Sequence, residues 1–269
     1  MYQQEKIKVF FDESGKRKDK PNLMGGLSIP SKIYSLPEIE SYSQQLRDGT
    51  LSLHWKDVTG KSEDRENIIQ VLNFIASYHH MIKFNVIHYD YSMLAQRREE
   101  FDEDLISKMI YTKFPERIIY GLLRGYGRNV YINTEIYIEN STEYQAFELD
   151  NLIKEQLNIQ SLYRAEHYVV SSSRLVPKGQ EIGVEVTDLL LGVIRNIIEN
   201  KPDDSKGYKI RNEVIINLLK KPKFYSLIKN IKYFEWTNTK ELAEIDFHDY
   251  LQLFIANHYE KWNYTPSSS

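Results

Sequence analysis

The residues best suited to chemistry in this chain are carboxylates. No cysteine is present, so a bound metal would have to be held by carboxylates, histidine or backbone oxygens. Asp12 and Glu13 close a run, Ile7 to Phe11, that alternates apolar and charged residues, and Ser14-Gly15 follows at once. Such a run reads as a strand, which puts two acids at a sheet edge just before a turn. Acids there either open the turn or share a hard divalent cation such as Mg2+ or Mn2+, which takes oxygen ligands. Glu139 stands in a comparable place, behind the apolar strand Thr134 to Ile138. Asp188 lies within Val184-Glu185-Val186-Thr187-Asp188-Leu189-Leu190-Leu191-Gly192, a strongly apolar helical stretch. An acid buried there needs a cation beside it, unless it serves the helix dipole near the N-terminus.

Other polar residues are less specific. His54, beside Trp55, can titrate as a general acid or base, orient a phosphate, or pack against the indole. Ser172 and Arg174 follow a short strand at His167 to Val170 and could reach a phosphate or Asp188, or belong to an ordinary polar loop. His79, His80 and His88 share no ligand spacing and read as structural. The acidic stretch Glu99 to Asp104 reads as a helix start, and Leu175 to Gly179 as a loop.

The elements that must position these acids follow from periodicity. A hairpin of Ile7 to Phe11 and Leu23 to Ile29, joined by the polar turn 15–21, opens the chain. Helices over Ile33 to Arg47 and Glu63 to Tyr78 flank an extended piece at Leu51 to Val58. Then strands at Ile82 to Tyr89, Thr134 to Ile138 and His167 to Val170 alternate with helices over Asp102 to Arg124, Thr142 to Leu157 and Val184 to Ile198. This order predicts an α/β fold with a mixed five-stranded sheet flanked by helices. Residues 1–200 would form the main domain, with a helical insertion at about 31–80, and 201–269 a helical C-terminal extension packed on it. A short strand is allowed at Ile231 to Trp236, and 265–269 read as a frayed tail.

The motifs resemble a known family, the one catalogued as domain of unknown function 3800, which is regarded as RNase H-like. Its strand-ending Asp-Glu-Ser-Gly matches residues 12 to 15, and its following Gly-Gly strand matches Gly25-Gly26. Its late helix of the type Gln-x-Ala-Asp-Leu-x-x-Gly is similar to Glu185 through Gly192, with Glu for Gln and Thr for Ala. A middle segment, often Glu-x-Lys or Glu-x-His, resembles Ser52-Leu53-His54-Trp55, where Ser52 replaces the acid. The resemblance spans roughly residues 5 to 200. It implies an RNase H-like fold and a bacterial or phage-conflict setting, such as a defence complex.

Composition narrows the function classes. Apolar residues at 41% and charged residues at 27% describe a globular chain. There is no signal-peptide pattern at the N-terminus and no apolar run of membrane-spanning length, so the expectation is a cytoplasmic protein with no membrane partner. A net charge of −3 argues against a general nucleic-acid coat. The stretch Lys201 to Trp236 nevertheless carries nine Lys/Arg against four Asp/Glu, enough for a local basic face or a solvated helix surface. The leading expectation is a Mg2+- or Mn2+-dependent nuclease acting on RNA, DNA or a hybrid. Asp12, Glu139 and Asp188 would be catalytic ligands, with Glu13 helping to hold metal and His54 handling a proton or phosphate. The rival is a non-catalytic scaffold of the same fold that docks a protein partner or a second copy. Ser52 and the negative net charge favour the rival.

Overall fold

The computed structural model describes residues 3–15, 19–96, 100–127, 129–236 and 242–263. The tail at 265–269, Glu99 and residues 16–18 of the polar turn lie outside the described residues. In chain order the elements are β1 (Gln3–Ser14), β2 (Asn22–Pro30), α1 (Ser31–Tyr34), α2 (Pro37–Arg47), a 3-10 helix (Trp55–Thr59), α3 (Ser62–Ala76), β3 (Lys83–Tyr89), α4 (Tyr91–Ala95) and α5 (Glu103–Leu123). They continue with β4 (Val130–Glu139), α6 (Thr142–Ala146), α7 (Leu149–Arg164), β5 (Tyr168–Val176), α8 (Ile182–Glu199), α9 (Lys206–Leu219), α10 (Pro222–Lys229), β6 (Lys232–Trp236), β7 (Ala243–Ile245), α11 (His248–Asn257) and α12 (Tyr259–Asn263).

These form an α/β fold around one mixed sheet with strand order β5-β4-β1-β2-β3-β6-β7. β2 runs antiparallel to β1 and β3, whereas β4 pairs parallel with β1, β5 with β4 and β6 with β3. The sheet therefore has seven strands where periodicity predicts five. Both additional strands come from the C-terminal segment, which is not purely helical. β6 extends the edge at β3, and the three-residue β7 turns back antiparallel on β6.

Alternation along β1 assigns the two faces of the sheet. Ile7, Val9 and Phe11 join a core with α5 and α7, while Phe10 joins a second core containing α8 and helices of the insertion and the C-terminal segment. α8 lies on β1 and β2 and is itself covered by α2, α3, α9 and α11. Coverage on nearly every side explains why it is apolar almost all round. Leu189, Leu190 and Leu191 are wholly buried, and burying each stabilises the fold by about 1.5–3 kcal/mol.

The adjacent Gly25 and Gly26 let helices approach β2 from both sides. A Cβ on Gly25 would sit 2.7 Å from Leu191 of α8, and one on Gly26 would sit 2.6 Å from Ile118 of α5. Successive strand residues face opposite sides, so a Gly pair relieves two helix contacts at one level of the sheet.

Glu181 precedes α8 and accepts a hydrogen bond from the Tyr34 hydroxyl. Burial pushes its carboxyl up to about 7, against the opposing pull of Lys8 and the Gly183 amide. A folded-state value above the ordinary 4.5 means that the folded protein holds this proton more tightly than the unfolded chain. The associated stability is full below the ordinary value and drains as pH rises through about 7. Glu181→Gln, which keeps the acceptor for Tyr34, is expected to be more stable than wild type at pH about 8, by on the order of 1–2 kcal/mol after allowance for partial exposure. The two proteins should converge near pH 4 in urea unfolding curves recorded across pH. A constant difference at every pH would show that Glu181 is not the titrating group.

Candidate functional site

Three acids meet at one end of the sheet. β1 continues through Ser14, so Asp12 lies within the ladder opposite Gly25 rather than beyond it. Its side chain takes the α8 face of the sheet, as Phe10 does, and is only 2% exposed. The Asp12 Oδ1 accepts the Glu13 amide at 2.7 Å. Gly15, at φ +83°, then turns the chain in a conformation that favours glycine. Glu139 is the last residue of β4, the parallel neighbour of β1, and so reaches the same end. Asp188 comes from the second turn of α8, past the first-turn position where the helix dipole would account for an acid.

Burial, a hydrogen bond to the Glu139 carboxyl and the charges of Glu139 and Asp188 together raise the Asp12 carboxyl well above the usual range; the Glu13 amide opposes this only in part. Asp12 and Glu139 thus lie side by side on adjacent parallel strands, with Asp188 in the same field.

Glu13 does not join them. The two-residue alternation that turns Asp12 toward α8 turns Glu13 to the other face, beneath α5. There burial, followed by the Glu13 charge, raises the Tyr144 and Tyr89 hydroxyls well above their ordinary value. Glu13 as a metal ligand is therefore corrected: it faces the opposite side of the sheet, near Tyr144 and Tyr89. Ser172 and Arg174 do not follow β5 but lie within it, paired with Glu135 and Tyr137 of β4. The Arg174 guanidinium lies over the Tyr137 ring at 4.4 Å. Among the described residues, Asp188 is contacted by Trp55 and His54 and has no hydrogen bond or ion pair with Ser172 or Arg174.

His54 does enter the group. It directly precedes the 3-10 helix, with Nδ1 3.3 Å from Glu185 Oε2 and 3.7 Å from Asp188 Oδ2. The contact with Glu185 is an ion-pair distance without hydrogen-bond alignment. Trp55 fixes the segment. Its backbone amide donates to Asp188 Oδ2 at 3.2 Å, and its indole Nε1 donates to Asn196 Oδ1 at 2.7 Å. Its ring occupies the place a Cβ on Gly192 would take. Gly192 stands one turn beyond Asp188, so the Asp-x-x-x-Gly spacing of α8 serves both the acid and the docking of its partner. Ser52 donates to Asp57 at 2.7 Å, which ties it to the 3-10 helix.

Two members of the site are not evident from the sequence. Glu185, one turn before Asp188, is 2% exposed and accepts the Gly179 amide at 2.7 Å. Burial raises its carboxyl above the ordinary range, and the nearby Asp188 charge adds to this, while the Gly179 amide, His54 and Lys178 oppose it. The signal available was its i, i+3 spacing from Asp188. Lys178 follows β5 rather than filling an inert loop, with Nζ 3.6 Å from Glu139 Oε1. Burial acts against its charge, but Glu139, Asp188, Asp12 and Glu185 outweigh burial and hold the ammonium above its ordinary value.

A cleft of about 290 Å³ opens beside Asp188, lined by His54, Trp55, Lys56, Arg195, Tyr208 and Arg211 among others. Among the described residues, no three histidines or acids already stand at the spacing that would hold a metal ion. The donor set is nonetheless all oxygen and crowded with like charge, which fits a hard divalent cation. Among the described residues no helix is long and apolar enough to cross a membrane. The chain matches no protein-family model, no curated protein and no solved structure.

Proposed function

We propose that this chain is an RNase H-like, divalent-metal-dependent nuclease that hydrolyses phosphodiesters at the Asp12–Glu139–Asp188 cluster. The observation that carries the reading is the placement of Asp12, buried and hydrogen-bonded to a second carboxyl within the field of a third. Burial and two neighbouring carboxylates oppose the charge of Asp12, and a bound cation would relieve that. The fold part of the proposal draws on the order β5-β4-β1-β2-β3, an antiparallel β1-β2-β3 meander extended at β1 by the parallel β4 and β5, with acids at one end. It also draws on the resemblance of residues 12–15, 25–26 and, with Glu for Gln and Thr for Ala, 185–192 to the family catalogued as domain of unknown function 3800, from which Ser52 departs.

In this reading Asp12, Glu139 and Asp188 would hold Mg2+ or Mn2+, which supplies water activation and charge neutralisation at phosphorus. His54, with Nδ1 set 3.3 Å from Glu185, would handle a proton or contact a phosphate. Lys178 brings a fixed positive charge to the same end of the sheet, where a phosphate oxygen gains charge as its bond breaks.

Two observations favour the scaffold reading. Lys178 already neutralises part of the cluster, and the acids are not at ligating spacing without a shift. Calorimetric Mn2+ titration, paired with cleavage assays on RNA, DNA and hybrid, separates the two. Wild type is expected to bind Mn2+ and to cleave. Asp188→Asn is expected to lose more than the roughly 10–100-fold in affinity or rate that outer-shell partners carry. No Mn2+ binding by the folded wild type would leave the scaffold reading in possession.

A further inference from the structure

The cleft beside Asp188 has an unbalanced set of charges. Of its cations, Arg195 is paired with Glu199 at 3.2 Å and also donates to the Lys20 carbonyl at 3.3 Å, and Lys178 is held by the acid cluster. Lys56 and Arg211 line the same cleft, and neither has a carboxylate partner among the described residues. Arg211 Nε is moreover buried without a hydrogen-bond acceptor. A buried guanidinium donor without an acceptor is costly, and the fork of an arginine suits a phosphate. Tyr208, on the first turn of α9, adds an aromatic ring to the lining, with the Arg211 guanidinium 6.0 Å from its centroid.

Lys201 lies at the edge of this cleft, with Nζ 2.8 Å from the Tyr208 hydroxyl and 3.5 Å from Glu199, but part of the basic C-terminal stretch borders another depression. Lys220 and Lys221 border a separate depression together with Glu213 and Glu260.

We infer that this cleft binds one single-stranded nucleic-acid segment next to the scissile position, with Arg211 and Lys56 on a backbone phosphate and Tyr208 against a base. The inference rests on the nuclease reading for its substrate class, and it deepens that reading by choosing a single strand over a duplex. Cations tracking the backbone beside an aromatic platform are the means by which single strands are held without sequence preference. A space of about 290 Å³ is at the lower end of small-ligand sites. It admits a nucleotide-sized group.

The test is fluorescence anisotropy in EDTA, so that binding is read without metal or turnover. The probes are labelled single strands of about 12 nucleotides, within the range of single-strand site sizes, with a duplex of the same length as competitor. Wild type is expected to prefer the single strands. Arg211→Gln and the exposed Lys56→Gln should each weaken binding about tenfold and reduce the salt slope by about 0.7, one phosphate contact. Lys221→Gln, outside the cleft, should bind as wild type. Lys56→Gln tests the site even if Arg211→Gln fails to fold. The inference is overturned if wild type binds no single strand, if duplex competes better, or if folded Lys56→Gln and Arg211→Gln bind as wild type does. Strand binding with these losses, but without Mn2+-dependent cleavage, would sustain the cleft and refute the nuclease. Cleavage with variants that bind normally would do the reverse.

Discussion

Asp12→Asn is expected to abolish metal-dependent phosphodiester cleavage and at the same time raise the melting temperature of the metal-free protein. The two effects have one cause. Asp12 is buried, hydrogen-bonded to Glu139 and within the field of Asp188, so in the absence of a cation its charge is opposed by both burial and like charge. Asparagine has the same shape, can still accept the Glu13 amide that Asp12 Oδ1 accepts at 2.7 Å, and can donate to Glu139. Because the folded-state carboxyl is raised, the wild-type fold is favoured at acid pH and loses that advantage as pH rises. The gain from asparagine should therefore be present at neutral pH and fade in acid. For a chain of this size each kcal/mol corresponds to roughly 2–4 °C. Mn2+ should reverse the ranking, since a ligand at 100 times its Kd stabilises wild type by about 2.7 kcal/mol and the variant has lost a ligand. Thermal melts of both proteins in EDTA and in Mn2+, together with cleavage assays, give all four comparisons. An Asp12→Asn variant that melts lower than wild type in EDTA would mark Asp12 as an ordinary structural acid. One that cleaves normally would end its catalytic assignment.

Much of this was legible because it repeats with a period. The apolar alternation of β1, the Gly25-Gly26 pair and the unbroken apolar face of α8 each announce their element, and they set Asp12, Glu139 and Asp188 near strand ends or on the central helix. Adjacency in sequence pairs Glu13 with Asp12, but adjacency in space does not. The two-residue period of a strand already separates Glu13 from Asp12. The polar run Ser171-Ser172-Ser173 hides the second half of β5, because its pairing with β4 is imposed by the sheet rather than by strand propensity. β7 has three residues, none buried, so it carries no pattern to read. Lys178 and Glu185 escaped for another reason. Their roles depend on where the chain after β5 passes the acids, a tertiary fact that spacing along one element does not encode.

The largest structural effect is expected where α8 meets the 3-10 helix. Trp55 is 8% exposed, rests on Gly192, donates to Asn196 from its ring and to Asp188 from its backbone. Trp55→Ala should remove about 3–5 kcal/mol of stability. It should also lower activity, because the amide held against Asp188 and the adjoining His54 lose their support. Gly192→Ala should destabilise by about 1–3 kcal/mol through overpacking, even though alanine is the better helix former by about 1 kcal/mol. The sign of that substitution depends on the indole. Once Trp55 is alanine, the methyl at 192 has open space, and only its helix preference remains. The double variant Trp55→Ala/Gly192→Ala should therefore be more stable than Trp55→Ala alone, so that one substitution changes sign with its background. Such an interaction, between about 0.5 and 3 kcal/mol, is the range found for residues in direct contact, and urea unfolding of the four proteins measures it. Trp55→Phe, which keeps a ring but gives up the 2.7 Å bond to Asn196, should lose at least the ~1 kcal/mol of that bond and retain the placement of His54. If the Gly192→Ala effect were the same in both backgrounds, the indole would not be what holds α8 at its distance from the 3-10 helix, and Asp188 would owe its position to the packing of α8 on β1 and β2 alone.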